Sequence, residues 1–194
     1  KVKAEKGVAA RALEFLVLTA ARTSEVIGAR WNEIDLTKAS WTIPASRMKA
    51  GTTHRIPLSP RAVKIIQALQ KIRHSDYVFP GHKKEKPLSN MAMLTLLKRI
   101  ERSGVTAHGF RSSFRDWASE KTNFSRQVCE MALAHTITNE AEAAYRRGNL
   151  YDKRRLLMDE WAKYCSDKKH VGNVVSITRN AKRVRHQIKV KQKV

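Results

Sequence analysis

The chain has 194 residues, 42% of them hydrophobic, which is ample for one domain with a buried core and an appendage. Its 39 lysines and arginines against 17 aspartates and glutamates give a formal net charge of +22 at pH 7, which predicts a polyanionic partner, nucleic acid by default, although ribosomal and membrane-surface proteins share such charge. No apolar run approaches the roughly 18 to 20 residues that span a bilayer, and no signal-peptide pattern opens the chain, so we expect a soluble protein without a membrane partner.

The first predicted element is a helix over residues 8–21, rich in Ala and Leu and apolar on nearly every side. Such a helix is expected to be buried on most of its surface. Arg22 follows it directly, and Thr23 or Ser24 is predicted to cap a short second helix with Glu25 in its first turn. Taken alone, an arginine in this place is more often a surface residue or a carbonyl cap than a ligand.

Residues 31–58 change to short alternating or β-rich runs that are broken by turn residues. This pattern predicts a small three-stranded antiparallel sheet with strands near residues 32–36, 40–44 and 54–58. Lys49 lies at the turn before the last strand, beside Gly51. A lysine in a hairpin is usually a solvated surface charge, but a flexible turn also lets a long amine swing over a phosphate. His54 is a lesser candidate for a backbone contact.

The remainder is predicted to be mainly helical, apart from an extended piece at residues 77–80 and a basic loop at residues 81–86. Helices are predicted at residues 59–72, 89–102, from after 105 to about 120, 124–132, 139–145 and 152–165. Ser89 is predicted to cap the second of these helices, and Phe110, Phe114 and Trp117 are predicted to form a buried stripe on the third. The last helix is predicted to be amphipathic, with its apolar face formed by Leu156, Met158, Trp161 and Tyr164. The fold class is therefore mainly α with a small antiparallel sheet (α+β).

The end of the chain differs in composition from the rest. Residues 166–194 hold nine Lys and Arg against one Asp and little apolar content, so we predict a basic tail that is disordered unless bound. Cys129 and Cys165 match no metal or redox spacing, and each is expected to be a reduced thiol in a reducing cytoplasm.

The most specific chemistry lies within residues 107–147. His108 and Arg111 are three residues apart, so on a helix they would project from one face and present an imidazole and a guanidinium to the same phosphate. His135 precedes Tyr145 by ten residues, and two arginines follow that tyrosine directly. A phenol with a pKa near 10 is only about one part in a thousand ionised at neutral pH, so it needs a strongly cationic neighbourhood to act as a nucleophile.

This pattern resembles the catalytic domain of the tyrosine recombinases, the phage and prophage integrases, over roughly Val8 to Cys165. In that family an Arg, a Lys, a His-x-x-Arg pair, a further His or Trp and a nucleophilic Tyr surround the scissile phosphate. The matching positions, in the family's order, are Arg22, Lys49, His108, Arg111, His135 and Tyr145. The run His-Gly-Phe-Arg-x-x-Phe-Arg-Asp-Trp from His108 resembles the integrases of prophages and genomic islands in particular, while Ala134 stands where a Gly often precedes the later His.

The resemblance implies a site-specific DNA recombinase in which Tyr145 attacks the phosphate to give a 3′-phosphotyrosyl link and a free 5′-hydroxyl. The arginines would stabilise the charge of the transition state, and Lys49 would act as the general acid. No metal and no cofactor is expected, and no Asp/Glu pattern resembles a two-metal nuclease site. Residues 1–165 would form the catalytic domain and residues 166–194 the tail. Because the chain begins with Lys1 just before an apolar helix, we expect that N-terminal DNA-binding domains are absent from it.

The implied partners are double-stranded DNA, further copies of the full-length protein in a tetrameric synapse on DNA, and accessory DNA-bending proteins, at the nucleoid in a bacterial cytoplasm. The isolated chain is expected to be monomeric off DNA. Two other interpretations stay open, a type IB topoisomerase-like enzyme that religates the same strand and a truncated DNA-binding remnant without catalysis. Tyr151 and Tyr164 rival Tyr145 as the nucleophile, although they are more simply packing residues.

Overall fold

The computed structural model describes residue 5 and residues 7–83, 85–102, 104–135 and 150–167. Tyr145, the helix predicted at residues 139–145 and nearly all of the basic tail lie outside the described residues. The described helices are α1 (Val8–Thr19), α2 (Thr23–Ile27), α3 (Pro60–Gln70), α4 (Ala92–Arg99), α5 (Gly109–Lys121), α6 (Arg126–Ala132) and α7 (Tyr151–Ser166). The strands are β1 (Ile34–Asp35), β2 (Ser40–Ile43) and β3 (His54–Pro57), with short 3-10 turns at Trp31–Glu33 and Ala45–Arg47.

The three strands form one antiparallel sheet in the order β1-β2-β3, as the alternating pattern predicts. Trp41 of β2 pairs with Ile34 on one side and with Ile56 on the other. On β2, Trp41 and Ile43 are buried while Thr42 between them is exposed, since successive side chains of a strand point to opposite faces. The sheet therefore covers one side of the core with a single apolar face.

The core consists of two hydrophobic clusters. In the first, α1 packs against α2, α3, α4 and the sheet, and Phe15 lies between the rings of Trp41 and Phe79 with centroid distances of 5.3 and 5.5 Å. In the second, Phe114 and Trp117 of α5 pack against Trp161 of α7, with Phe114 meeting Trp161 edge to face at 5.4 Å. Within the described ranges, no helix is both long enough and apolar enough to cross a bilayer.

The last helix has a different buried face from the predicted one. Leu157, Met158 and Trp161 are buried, but Leu156 is 59% exposed and Tyr164 is 37% exposed, so the assignment of these two residues to the buried face was wrong. The inward face begins with Arg154, which is 3% exposed and donates a hydrogen bond of 2.8 Å to the carbonyl of Arg55 on β3. Arginine is rarely buried unless it is paired, so the sequence pattern gave no reason to place Arg154 on the inward face.

Two predicted caps are also corrected. The helix α4 begins at Ala92 with Met91 at its N-cap, and Ser89 contributes only its carbonyl, which accepts from the Ala92 amide at 3.1 Å. The N-cap of α2 is Arg22, so neither Thr23 nor Ser24 caps that helix.

Candidate active site

Arg22 is held at the start of α2 by Glu25. Ala20, in the left-handed region at φ 49°, ends α1, and α2 begins three residues later. The Glu25 carboxylate accepts a hydrogen bond from the Arg22 amide and another from its Nη1, each 2.7 Å long. Glu25 is only 3% exposed, whereas the Arg22 side chain is 26% exposed. One buried carboxylate therefore orients both the backbone and the guanidinium of Arg22, and leaves the rest of that guanidinium open to an anion.

Arg111 of α5 is buried, with 6% exposure, between the ends of two other helices. Its Nη1 donates to the carbonyl of Ala20, at the end of α1, and its Nη2 donates to the carbonyl of Leu133, at the end of α6, at 2.7 Å. The carbonyl ends of helices carry partial negative charge and stabilise a cation there. Burial, together with the positive charge of Arg22, lowers the pKa of Arg111 to about 10, while Glu25 opposes that shift. Arg111 therefore remains charged at neutral pH and lies close to Arg22.

His135 is placed by the turn that ends α6. The His135 amide donates to the Glu130 carbonyl at 3.1 Å and the Ala134 amide to the Met131 carbonyl at 3.2 Å, with Ala134 at φ 49°. This is a Schellman motif, in which the left-handed position usually holds Gly because a side chain is strained there. Position 134, where this chain has Ala instead of the family's Gly, is therefore the position of the turn at which glycine is favoured.

The His135 ring joins Glu130 to Arg111. Its Nδ1 lies 2.5 Å from Oε2 of Glu130, and its Nε2 lies 3.5 Å from Nη2 of Arg111. Since a carboxylate accepts, Nδ1 carries a proton, and Nε2 of a neutral ring presents its lone pair to the guanidinium. Burial raises the pKa of Glu130, but the hydrogen bond from His135 and the charges of Arg115 and Arg126 lower it overall. Glu130 and Arg115 were missed by the sequence analysis, because nothing in the motif indicates which carboxylate orients the imidazole.

Lys49 and His108 are both exposed, in contrast to Arg111. Lys49 follows Met48 in a turn closed by the Gly51 amide, which donates to the Met48 carbonyl at 3.0 Å, and Gly51 takes the left-handed conformation at φ 62°. His108 directly precedes α5 and its carbonyl accepts from the Arg111 amide at 3.0 Å. Neither the Lys49 nor the His108 side chain forms a hydrogen bond or ion pair within the part of the chain that the structure describes.

His54 is a lesser candidate for a DNA-backbone contact by sequence, but in the structure it lies near the residues of the site. It begins β3, and the Ala132 backbone at the end of α6 is near enough to act on its pKa. Burial lowers the pKa of His54 to about 4, with Arg154 and Arg111 acting in the same direction and Glu25 opposing them. The ring is therefore neutral at pH 7, and it lies on the strand that follows Lys49, near the helix that precedes His135.

The two rival tyrosines make packing contacts. The Tyr151 ring lies 4.2 Å from the Arg55 guanidinium, and its hydroxyl accepts from Nη2 of Arg155 at 3.1 Å. Tyr164 stacks on Trp161 with 5.6 Å between the ring centroids. These contacts agree with packing roles for both residues.

Of the six predicted site residues, Arg111 and His135 lie 3.5 Å apart, and Arg22 is near enough for its charge to act on Arg111; these three residues are named here the arginine cluster. Two guanidiniums and an imidazole in one place suit an anion with several oxygens, because arginine stays charged and can bind two oxygens at once. Lys49 and His108 lie outside these hydrogen bonds, and Tyr145 lies outside the described residues. Within the described ranges, no three His, Cys, Asp or Glu side chains are grouped so that they could hold a metal ion.

Residues 3–150 match the profile of the Phage integrase family. Prophage integrase IntA of Escherichia coli K12 is 36% identical over 149 residues, which cover 75% of this chain and 36% of that protein. Prophage integrase IntZ of the same strain is 37% identical over 153 residues, covering 78% of this chain and 38% of that protein. The chain thus spans well under half the length of these relatives.

Two solved structures share the fold. The integrase from mycobacterium phage Brujita superposes with a TM-score of 0.62 at 20% identity, over 82% of this chain and 54% of that chain. A lambda integrase(75-356) dimer bound to a COC′ core site superposes with a TM-score of 0.53 at 18% identity, over 70% and 52% of the two chains. These likenesses confirm the predicted fold class, mainly helical with a small antiparallel sheet.

Proposed function

We propose, from the premise that this chain belongs to the phage integrase family of tyrosine recombinases, that it carries the catalytic site of a site-specific DNA recombinase of prophage or genomic-island type. The observation that carries the proposal is the arginine cluster, in which Arg111 is buried between two helix ends, 3.5 Å from His135 and close enough to Arg22 for its pKa to be lowered. The family relationship supports the reaction, and the cluster supplies a binding place for the scissile phosphate.

In the proposed reaction the Tyr145 oxygen attacks the phosphorus and the bond to the 5′ oxygen breaks. This leaves a 3′-phosphotyrosyl link and a 5′-hydroxyl. Charge gathers on the non-bridging oxygens in the transition state, and the guanidiniums of Arg22 and Arg111 are already oriented to stabilise it. A 5′-hydroxyl from a second strand then attacks the phosphotyrosyl bond and frees the tyrosine. The covalent link retains the energy of the ester, so the exchange needs no ATP.

The departing 5′ oxygen requires a proton, and we assign its donation to Lys49. A guanidinium holds its proton too tightly to act as a general acid, whereas an ammonium can release one. Lys49 is exposed on its turn and has no partner within the described residues, so its amine is available to reach a bound phosphate. We assign His108 and His135 to contacts with the phosphate oxygens, since each lies beside or near Arg111. For this contact His135 would take up a second proton when the phosphate binds, so that its Nε2 can donate to an oxygen.

The substrate would be double-stranded DNA, and the +22 charge predicts binding that weakens strongly with salt. Lambda integrase, similar in fold, has been seen as a tetramer bound to a Holliday junction. By analogy we propose that the full-length protein assembles as a tetramer on DNA, with accessory DNA-bending proteins, at the nucleoid in the bacterial cytoplasm. Residues 1–165 would be the catalytic domain, and residues 166–194 a tail that contacts DNA through its charge.

The direct test is covalent capture on nicked duplex DNA, where the short strand diffuses away and the intermediate accumulates. We expect a denaturation-resistant adduct that retains a label at the 5′ end of the cut strand, because the enzyme remains on the 3′ phosphate. Tyr145→Phe should bind DNA with unchanged affinity and form no adduct. An adduct that survives this substitution, or maps to Tyr151, would overturn the assignment of the nucleophile.

The same assay separates the alternatives. A DNA-binding remnant would bind the nicked duplex and never form the adduct. A topoisomerase-like enzyme would form it and relax supercoiled plasmid, but would not join the cut strand to a 5′-hydroxyl from another duplex. Transfer to the second duplex is the outcome that the recombinase proposal requires.

A further inference from the structure

We propose that Arg47 is the positioning residue for Lys49, tying the base of the turn that carries the amine to α2, the helix that Arg22 caps. This inference rests on the proposed function, in which Lys49 is the general acid. Arg47 ends the 3-10 turn Ala45–Arg47 and precedes Lys49 by two residues. Arg47 would fix the point at which the backbone of that turn leaves the core. It would thereby determine the region that the Lys49 amine can reach.

Two groups on different elements hold the Arg47 guanidinium. Its Nη1 lies 2.5 Å from both carboxylate oxygens of Glu33, and its Nη2 donates to the Glu25 carbonyl at 2.5 Å. The Arg47 side chain is 20% exposed and that of Glu33 is 6% exposed, so this is a largely desolvated ion pair. The second contact matters for function, because Glu25 is the same residue whose carboxylate orients Arg22.

Glu33 is itself immobilised. Its carboxylate accepts from Nε1 of Trp41 at 3.0 Å and from the Arg30 amide at 3.3 Å. Trp41 is fully buried at the centre of the sheet. Since Glu33 is bonded to the core at two further points, it cannot follow a displaced Arg47, and the ion pair acts as a fixed anchor.

The end of α2 also leaves space for the Arg47 guanidinium. A Cβ added to Gly28 would lie 2.8 Å from Nη2 of Arg47 and 3.1 Å from the Ser24 carbonyl. The guanidinium therefore packs directly on the backbone of α2, and any side chain at position 28 would displace it. Gly28→Ala is consequently a second way to move Arg47 without removing its charge.

Beyond Arg47 the turn has few other fixed points. Met48 is buried, with 6% exposure, and its carbonyl closes the turn with Gly51. Lys49 is exposed and its amine has no partner within the described residues. If the Arg47 guanidinium is removed, this end of the turn is held by buried Met48 and by the amides of positions 47 and 48, which donate to the Pro44 and Ala45 carbonyls at 3.0 Å. None of these contacts ties the turn to α2, so the amine would sample a wider region that includes fewer productive positions near the phosphate.

The test compares two DNA substrates that differ at one atom. In the second substrate, sulphur replaces the bridging 5′ oxygen of the scissile phosphate, and the thiolate leaves without a proton. We expect Arg47→Met to slow cleavage of ordinary DNA by about 10- to 100-fold, because a small misplacement of a catalytic group has costs of that order. On the sulphur substrate we expect most of the rate to return, as it should for Lys49→Ala. Gly28→Ala should show the same pattern with a smaller defect.

Arg61→Met is the matched control. Arg61 of α3 donates to both oxygens of Glu14 on α1, at 2.8 and 2.9 Å, and Glu14 is 5% exposed. Its loss removes a guanidinium from a buried carboxylate, as Arg47→Met does, and in both cases the carboxylate keeps other donors: Arg11 at 3.4 Å for Glu14, and Trp41 and the Arg30 amide for Glu33. The damage to stability should therefore be comparable. We expect the ratio of the two cleavage rates to be the same in Arg61→Met as in the unmodified chain.

The outcomes separate this proposal from the function it rests on. Equal defects of Arg47→Met on both substrates, with Lys49→Ala still rescued by sulphur, would overturn the positioning role and leave the recombinase assignment intact. Failure of sulphur to rescue Lys49→Ala would instead remove the general-acid role. If Arg47→Met does not fold, Gly28→Ala and Arg47→Lys decide the question, because a lysine cannot reach both Glu33 and the Glu25 carbonyl. A double variant Arg47→Met/Lys49→Ala should be no slower than Lys49→Ala, and additive defects would contradict the proposal.

Discussion

The arginine cluster and the Lys49 turn show opposite ways of holding a charge. Arg111 is bonded to the carbonyls of Ala20 and Leu133, and Arg22 is bonded through both its amide and its side chain to Glu25. Lys49 is exposed and is held only through the backbone of its turn. Charges that stabilise a transition state work best when they are already in place, whereas a proton donor must approach its acceptor and withdraw. The comparison therefore indicates separate tasks for the two regions.

The largest expected effect is that of Arg111→Ala. We expect cleavage to fall by about 10²- to 10³-fold, because one preorganised donor to the phosphate is lost. Stability should fall by about 1 to 3 kcal/mol, since two buried carbonyls lose their hydrogen bonds. The sulphur substrate should not restore cleavage, because the loss concerns charge and not proton delivery. If the sulphur substrate restored cleavage by Arg111→Ala, the proposed separation between charge stabilisation by Arg111 and proton donation by Lys49 would be wrong. Arg111→Lys serves as the control that keeps a positive charge.

The second-largest effect is expected from Lys49→Ala, in the exposed turn that is compared with the arginine cluster. Loss of a general acid costs about 10²- to 10⁴-fold in rate, and we place this variant near the lower limit. Stability should change by no more than about 0.5 kcal/mol, since the side chain is exposed. Urea unfolding and cleavage of both substrates measure the two quantities. A stability loss as large as that of Arg111→Ala would show that the turn depends on the lysine itself.

A pH effect should arise at His54, where the two regions meet. Its pKa is lowered in the folded state to about 4 from 6.5, so the unfolded chain binds more protons between these values. Stability is then fully present above about pH 6.5 and is lost as the pH falls toward 4, by on the order of 3 kcal/mol at most. Urea unfolding at several pH values tests this expectation. His54→Gln should remove this part of the pH dependence, and an unchanged profile would show that other groups cause it.

The smallest effect concerns the turn that positions His135. Ala134 has φ 49°, so Ala134→Gly should relieve strain and raise the free energy of unfolding by about 1 kcal/mol. Ala132→Gly, two residues earlier and at the last position of α6, should lower it by a similar amount because glycine is unfavourable in a helix. Thermal or urea unfolding of the pair decides the matter. Destabilisation by both glycines would contradict the reading of the turn as strained.

The sequence by itself determined the features that depend on neighbouring residues. Alternation of apolar residues around Trp41, together with the turn residues, predicts the three strands, and the spacing of Phe114 and Trp117 predicts a buried stripe on α5. The motif order singled out Arg22 and Arg111, which the structure brings close together. The predictions of the strands and of the buried stripe succeed because the period of a strand or helix is a local property of the chain.

The tertiary structure alone decided which polar groups compensate the buried charges. Arg111 is paired with the carbonyl of Ala20, 91 residues earlier, and Arg154 with the carbonyl of Arg55, 99 residues earlier. Periodicity reports that a position is buried, but it does not report where the end of a distant helix or strand will lie. A buried guanidinium is tolerated only where such an acceptor is present. For this reason the sequence did not predict the buried position of Arg154, and the bonds of Arg47 to Glu33 and to the Glu25 carbonyl became visible only in the folded chain.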